Sequence, residues 1–229
     1  MSGPARTQVV AVVFDLDGVL VDSESRWDGV RRDLAAAAGR PWPDEATHAM
    51  LGMSTAEWSA YLTGVVGVPG PPERVAAEVI DRMAEAYRSR LPLLPGAVDV
   101  VTRLGGRFPL GLASSSPRRL IDVVLGAAGL ADRFRATVST EEVAAGKPSP
   151  LVYREAVRRL GVPADRAVAV EDSANGLRSA AAARLTVIAV PNADFPPARE
   201  ALALAAVVVG SLDEITSELV LSAHRPQPS

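Results

Sequence analysis

The chain has 229 residues, 48% of them hydrophobic, and its 24 Lys and Arg against 27 Asp and Glu give a formal net charge of -3. This balance excludes the basic surface that binds nucleic acid or an anionic membrane. The lack of cysteine excludes disulfides and thiolate metal sites, and the length favours one domain with an insertion.

From the first residues of the sequence we expect no secretory signal peptide. Residues 1–8 lack the layout of a signal peptide, and the apolar run that follows them, at 9–13, is too short to cross a bilayer. We therefore expect a cytoplasmic protein that has neither a membrane nor a nucleic acid as its partner.

Six short apolar runs, rich in β-branched residues, are spread along the chain. They are continuous rather than alternating, which is typical of strands buried on both faces of a parallel sheet. The runs lie at 9–14, 110–113, 136–138, 167–170, 186–190 and 206–209, with helical periodicity at 120–128, 151–160, 177–183 and 197–205. This alternation predicts an α/β fold with a doubly wound parallel sheet.

One stretch, residues 24–90, contains helical segments and no candidate strand. Within it Val75, Val79, Met83 and Tyr87 recur every fourth residue and form one apolar stripe. We predict a helical subdomain inserted after the first strand.

The predicted boundaries give a core of residues 1–20 and 93–229 and a helical cap of residues 21–92. Ligands of open α/β sheets bind beyond the carboxyl ends of the strands. A cap inserted at that end would lie over the site as a lid.

Two carboxylates, Asp15 and Asp17, come directly after the first apolar run, and Gly18 then lets the chain turn. A carboxylate at a buried strand end is costly unless a cation or hydrogen bonds satisfy it. The spacing suits a site in which one carboxylate attacks or binds metal and the other transfers protons.

Three further polar clusters follow predicted strands. Ser114, Ser115 and Ser116 open a helix, where hydroxyl and backbone N–H groups form an anion site suited to phosphate. Lys147 precedes the next helix and would neutralise a phosphoryl group. The third cluster is a second pair of carboxylates.

This second pair, Glu171 and Asp172, follows the run at 167–170. Hard oxygen ligands without His or Cys beside them suit Mg²⁺, which often bridges to phosphate. A carboxylate nucleophile that forms an aspartyl-phosphate is an established catalytic route.

The four clusters, in this order and with a helical insertion after the first, resemble the haloacid dehalogenase (HAD) superfamily. More narrowly they resemble its β-phosphoglucomutase-like and phosphatase branch, which carries a small helical cap. The resemblance covers residues 9–211. It implies a Rossmann-like core, Mg²⁺ as cofactor and a small phosphorylated metabolite, most simply a sugar phosphate, as substrate.

The resemblance also implies roles for the carboxylates. Asp15 matches the nucleophile, which also binds Mg²⁺, and Asp17 matches the general acid–base, whose backbone carbonyl is a metal ligand. Asp172 matches the distal Mg²⁺ ligand, with Glu171 as a direct or water-mediated partner.

The remaining motifs match the phosphate site of the family. Ser114, with Ser115 beside it, matches the phosphate-binding hydroxyl, and Lys147 matches the lysine that steadies the nucleophile and the phosphate oxygens. Simpler interpretations stay open: Ser114 as a helix N-cap, Lys147 as a solvated loop residue, and Glu171 as a first-turn acid that complements a helix dipole.

The resemblance separates related activities. Asp17 favours phosphoryl transfer over dehalogenation. The cap histidine of the mutases is replaced by residues 26–28, Arg-Trp-Asp, and the segment 50–55 has no Lys or Arg to hold a second phosphate. A phosphatase is therefore favoured over a sugar phosphomutase, and a non-enzymatic phosphoryl-receiver domain is the third alternative. Separately, we expect a monomer or a weak homodimer.

The three tryptophans of the chain, Trp27, Trp42 and Trp58, all lie in the predicted cap. We expect them to form its small core, with one of them able to line a substrate pocket.

Overall fold

The structure, a computed structural model, describes residues 9–50, 53–192 and 196–224. Its centre is a six-stranded sheet in the order β3-β2-β1-β4-β5-β6, with every neighbouring pair parallel. The strands are β1 (Ala11–Phe14), β2 (Leu110–Ser114), β3 (Phe134–Ser139), β4 (Ala167–Glu171), β5 (Thr186–Ala189) and β6 (Val207–Val208). All six lie at the predicted runs, and the doubly wound parallel sheet is confirmed.

Ten α-helices occur in the described ranges. They are α1 (Glu24–Ala37), α2 (Ala46–Met50), α3 (Thr55–Tyr61), α4 (Pro72–Ser89), α5 (Ala97–Gly105), α6 (Arg118–Ala127), α7 (Leu151–Leu160), α8 (Ala174–Ala182), α9 (Arg199–Leu202) and α10 (Ser217–Ala223). A π-helical turn, Leu62–Val66, continues α3, and short 3₁₀ turns lie at Ala131–Arg133, Thr140–Glu142, Ala164–Arg166 and Leu212–Glu214.

The helix predicted at 197–205 is shorter than expected. It covers only Arg199–Leu202, because Pro196 and Pro197 precede it and Ala198 is extended, with ψ of 152°. Proline disfavours helical backbone in the residue before it and cannot donate a backbone hydrogen bond. The chain must also turn again to enter β6.

The sheet separates two apolar cores, as alternation along β1 illustrates. Val12 and Phe14 belong to one cluster, which includes residues of α5, α6 and α10 and continues into the cap. Ala11 and Val13 belong to the other, with residues of α7 and α8. Both faces of β1 are therefore covered, as its continuous apolar sequence predicts.

Residues 24–50 and 53–90 contain helices and no strand, as predicted. The stripe on α4 is buried: Val75, Val79, Met83 and Tyr87 are each at most 3% exposed. Residues 51 and 52 of the predicted cap, and residues 1–8, 193–195 and 225–229 of the predicted core, lie outside the described residues.

The two chain segments that join the helical insertion to the sheet run side by side. Val21 and Leu93 form an antiparallel bridge. Asp22 N donates to Pro92 O at 2.9 Å, and Leu94 N donates to Leu20 O at 3.0 Å. This pairing lies at the boundary that we assigned between core and cap.

Among the described helices, none combines the length and the apolar character that a membrane span requires.

Candidate active site

The sheet topology brings the predicted site residues to one edge. Asp15 follows β1 directly, Ser114 is the last residue of β2, and Glu171 is the last residue of β4. Because β1 lies between β2 and β4 and all three are parallel, their carboxyl ends meet at the same edge of the sheet. Segments almost 160 residues apart in sequence therefore become neighbours.

Asp15 is buried and lies beside a lysine. Its Oδ1 is 2.8 Å from Lys147 Nζ. Burial raises the pKa of Asp15 to about 8; the charges of Glu171 and Asp17 add to this, and Lys147 acts against it. The ionised form of Asp15 is thus disfavoured, and additional positive charge beside it would stabilise that form.

Lys147 is not the solvated loop residue of the simpler interpretation, because only 4% of its side chain is exposed. Its Nζ lies between two carboxylates, Asp15 Oδ1 at 2.8 Å and Glu171 Oε1 at 2.6 Å. Burial lowers the pKa of Lys147, but the two carboxylates outweigh burial and raise it above its usual value. The ammonium group stays charged beside Asp15.

Glu171 is fully buried, and hydrogen bonds occupy both of its oxygens. Oε1 accepts from Lys147 Nζ and from the Tyr153 hydroxyl, at 2.6 and 2.8 Å. Oε2 accepts from the backbone N–H groups of Asp172 and Ser173 and from the Ser173 hydroxyl, at 3.1 to 3.3 Å. Glu171 thus holds the lysine and the start of the loop after β4. The pattern of apolar residues did not predict a role for Tyr153.

Three carboxylates form a cluster that fits a divalent metal ion. Asp15, Glu171 and Asp172 each offer an oxygen, and these oxygens lie within 4.8 Å of one another. Within the described part of the chain, buried Asp172 Oδ1 has no hydrogen-bond partner. Burial, followed by the charges of Glu171 and Asp15, raises the pKa of Asp172. Hard oxygen donors with excess negative charge are the ligand set that Mg²⁺ or Ca²⁺ prefers.

Gly18 makes room for this cluster. Its φ is +76°, and a Cβ at this position would lie 1.9 Å from Asp172 Oδ2. Any side chain here would displace the Asp172 carboxylate from its present position, so both the turn and the cluster depend on glycine.

Asp17 is held by two serines at the carboxyl end of β2. Its Oδ2 accepts a hydrogen bond of 2.6 Å from Ser116 Oγ and a longer one, 3.4 Å, from Ser114 Oγ. Sequence patterns alone suggested no individual role for Ser116. Its position two residues after the strand end is the signal that could have suggested one.

The two serines predicted to bind phosphate differ in position. Ser115 is exposed and lies on the wall of a cavity. Ser114 is fully buried, and its Oγ accepts from Ser116 N at 2.9 Å, so it does not cap α6. To reach a phosphoryl oxygen, the Ser114 hydroxyl would have to turn away from Asp17.

The cavity has a volume of about 120 Å³ and lies between the sheet edge and the helical insertion. The wall on the sheet side includes Asp15, Asp17, Ser115, Lys147 and Asp172, and the facing wall includes Glu24, Trp27, Arg31 and Trp58. The predicted pocket role of a cap tryptophan therefore holds for two of the three. Trp42 instead packs at the side of the insertion, with the Arg32 guanidinium 5.0 Å from its ring.

The sequence model of the haloacid dehalogenase-like hydrolases matches residues 9–184. The chain belongs to this family. This confirms the predicted superfamily and the prediction that the protein is a hydrolase.

Curated relatives match most of the chain. Hexitol phosphatase B of Escherichia coli (strain K12) is 34% identical over 223 residues, which are 93% of this chain and 97% of the relative. A phosphorylated carbohydrates phosphatase of Thermotoga maritima is 28% identical over 174 residues, covering 76% and 81% of the two chains.

Solved structures of related proteins share the fold of this chain. CbbY from Rhodobacter sphaeroides, crystallised in complex with phosphate, superposes with a TM-score of 0.81 at 28% identity and covers 94% of this chain and 100% of its own. A β-phosphoglucomutase homologue from Thermotoga maritima gives a TM-score of 0.72 at 25% identity, with 93% and 97% covered. The β-phosphoglucomutase-like branch is therefore confirmed.

Proposed function

We propose that the protein is a Mg²⁺-dependent phosphatase that hydrolyses a small phosphorylated metabolite, a sugar phosphate, through an aspartyl-phosphate intermediate. The observation that supports this most directly is one cavity lined by Asp15, Asp17, Lys147 and Asp172 and covered by the helical insertion. The names of two relatives, a hexitol phosphatase and a phosphorylated carbohydrates phosphatase, support the substrate class.

In the first step a carboxylate oxygen of Asp15 attacks the phosphorus atom of the substrate. The bond between phosphorus and the sugar oxygen breaks, and Asp17 gives its proton to that oxygen, so the sugar leaves as a neutral alcohol. Lys147, 2.8 Å from Asp15 Oδ1, keeps the nucleophile in place and compensates charge on the phosphoryl oxygens. Ser115, on the cavity wall, donates to the same oxygens. The Ser114 hydroxyl, which donates a hydrogen bond to Asp17 Oδ2, is the second proposed donor to the phosphoryl group.

In the second step Asp17, now a carboxylate, takes a proton from water, and the resulting hydroxide attacks the phosphorus atom. The bond between phosphorus and Asp15 breaks, which releases inorganic phosphate and restores the nucleophile. The hydrogen bond from Ser116 Oγ, 2.6 Å long, keeps Asp17 facing the reacting atoms in both steps.

Asp15, Asp172 and the backbone carbonyl of Asp17 would hold Mg²⁺, with Glu171 reaching it through water because its oxygens already accept several hydrogen bonds. The ion would supply positive charge that lets a carboxylate approach a phosphate.

The proposal includes the division into a core of residues 1–20 and 93–229 and a cap of residues 21–92 that closes over the substrate. Closure would exclude bulk water from the reacting atoms. It also includes a cytoplasmic location and a monomer or weak homodimer, since one chain provides both walls of the cavity. Gel filtration and cell fractionation test these two points.

The two alternatives are less well supported. A phosphomutase needs positive charge at the turn 50–55, and the described residues of that segment on the cavity wall are Met50, Met53 and Thr55. A receiver domain needs no substrate cavity, whereas Asp15 lies on the wall of one.

A panel of phosphorylated metabolites with Mg²⁺, assayed for released phosphate, tests the proposal. We expect turnover of sugar phosphates without any bisphosphate activator, and loss of turnover in Asp15→Asn. Asp33→Asn, which changes an exposed aspartate of α1, is the matched control. Activity that survives in Asp15→Asn would exclude Asp15 as nucleophile. Phosphate release that requires a bisphosphate would favour the mutase.

A further inference from the structure

Arg31, in α1, is a buried cation on the cavity wall. The residue is only 8% exposed, and its guanidinium lies 5.0 Å from the ring centroid of Trp27 and 4.9 Å from that of Trp58. Its Nε has no hydrogen-bond partner, and no described carboxylate lies within 4.0 Å of the group. The indole rings attract its charge but offer no lone pair to its N–H groups.

The nearest charged groups do not satisfy Arg31. The Asp28 carboxylate already accepts from Arg32 Nε and from Thr47 Oγ1, each at 2.6 Å. Glu24 is itself largely buried: burial, followed by the Asp17 charge, raises its pKa, and the Arg31 charge acts against this although the two groups form no ion pair within 4.0 Å. Burial lowers the pKa of Arg31 to about 10, against the opposing effect of Glu24 and Asp28. Keeping an unpaired charge buried is costly, so a partner from outside the chain is expected.

The position of Arg31 along the helix gives the direction of that partner. Glu24, Trp27 and Arg31 are spaced i, i+3 and i+7 and therefore share one face of α1; all three lie on the cavity wall. Glu24 is the member close enough to Asp17 for the Asp17 charge to raise its pKa. Arg31 lies about 10 Å farther along the helix. A substrate whose phosphoryl group meets Asp15 can thus extend past Glu24 towards Arg31.

We propose that Arg31 binds an oxyanion at the end of the substrate that is remote from the phosphoryl group transferred to Asp15. The oxyanion is a carboxylate or a second phosphate, because a guanidinium offers parallel N–H donors that match either group. This inference rests on the proposed function and narrows its substrate class to phosphorylated carbohydrates that carry a second anionic group.

Three substrates test it: glucitol 6-phosphate, gluconate 6-phosphate and fructose 1,6-bisphosphate. The first ends in a neutral hydroxyl, the second in a carboxylate and the third in a second phosphate. Two of these compounds, gluconate 6-phosphate and fructose 1,6-bisphosphate, carry a second anionic group. We expect kcat/KM of the unaltered protein to be at least about tenfold higher for one of them than for glucitol 6-phosphate. The compound that is preferred identifies the oxyanion.

Variants assign that preference to Arg31. Arg31→Met removes the charge and keeps a long side chain beside the two indoles; we expect kcat/KM to fall about 30-fold or more on the preferred substrate, mainly through KM. On glucitol 6-phosphate the loss should stay below about threefold. Arg31→Lys keeps a charge that tryptophan attracts. Its kcat/KM on the preferred substrate should lie between those of the unaltered protein and of Arg31→Met. Arg88→Met, at an exposed position of α4 outside the cavity wall, is the control and should leave kcat/KM on all three substrates unchanged.

Circular dichroism and thermal melting of each variant show whether it is folded. Equal losses on all three substrates in Arg31→Met, or glucitol 6-phosphate as the best substrate of the unaltered protein, would overturn the inference and leave the proposed phosphatase intact. If the unaltered protein releases phosphate from no member of the metabolite panel, the proposed function and this inference both fail.

Discussion

Lys147 Nζ donates a hydrogen bond of 2.6 Å to Glu171 Oε1, and both side chains are almost completely buried. The same nitrogen lies 2.8 Å from Asp15 Oδ1. The lysine thus links the end of β4 to the proposed nucleophile after β1. We therefore expect Glu171 to influence the reaction by holding Lys147, in addition to any contact with a metal ion.

Glu171→Gln tests this link. The amide keeps the shape of the side chain but removes a buried charge that Lys147 requires, and its NH₂ group faces backbone N–H donors. We expect the free energy of unfolding to fall by about 3 kcal/mol, together with a loss of kcat, measured by urea denaturation and phosphate release. The control is Glu200→Gln on exposed helix α9. Unchanged stability would show that the buried pair contributes little.

Ser116→Ala removes the shorter of the two hydrogen bonds to Asp17 Oδ2. Because Asp17 keeps only the 3.4 Å bond from Ser114, we expect its carboxylate to lose its fixed orientation. We predict that kcat falls about tenfold or more with little change in KM, and that stability falls by about 1 kcal/mol. Ser222→Ala, at an exposed position of α10, is the control. A change in KM alone would contradict the orienting role.

Mg²⁺ should raise the melting temperature of the protein, and EDTA should reverse the increase. Binding to the folded state alone stabilises it by about 2.7 kcal/mol at a hundredfold excess over Kd. Asp172→Asn should remove this effect, and without metal it should melt no lower than the unaltered protein, because it relieves repulsion among buried carboxylates. Activity should follow the same dependence on Mg²⁺. A Mg²⁺ shift that persists in Asp172→Asn would contradict the assigned ligand.

Arg184→Gly should stabilise the fold. Arg184 is exposed and has φ of +71°, the one positive φ among the described non-glycine residues. This conformation costs a residue with a Cβ roughly 1–2 kcal/mol, from which the larger chain entropy of glycine is subtracted. We expect a gain of about 1 kcal/mol, or a melting temperature about 2–4 °C higher.

The matched comparison for that variant is Arg178→Gly, at an exposed position inside α8. There the same change should destabilise by about 1 kcal/mol, since glycine is unfavourable within a helix. Opposite signs at the two positions would assign the effect to backbone conformation. Equal signs would contradict it.

Local patterns were enough to predict much of the fold. The six strands could be located because strands buried on both faces need contiguous apolar residues. The helical insertion could be located because four-residue spacing excludes strands over a long stretch. The helix predicted at 197–205 was too long because apolar periodicity does not include the effect of two preceding prolines and of the turn into β6.

The polar clusters at strand ends could also be predicted to lie together, since parallel strands end at one edge whatever their order. Which of their atoms are in contact could not be predicted. Tyr153 looked like an ordinary core residue of α7, yet its hydroxyl donates to Glu171. Ser114 and Ser115 are adjacent, but one faces Asp17 and the other faces the cavity.

The sequence by itself determined the parallel sheet, the helical insertion and the four polar segments of the candidate site, because each of these depends on residues close together along the chain. Only the tertiary structure decided that Lys147 lies between two carboxylates and that Arg31 is buried against both Trp27 and Trp58 with no described carboxylate within 4.0 Å. Such contacts join residues distant in sequence, and their energies depend on burial, which no local pattern contains.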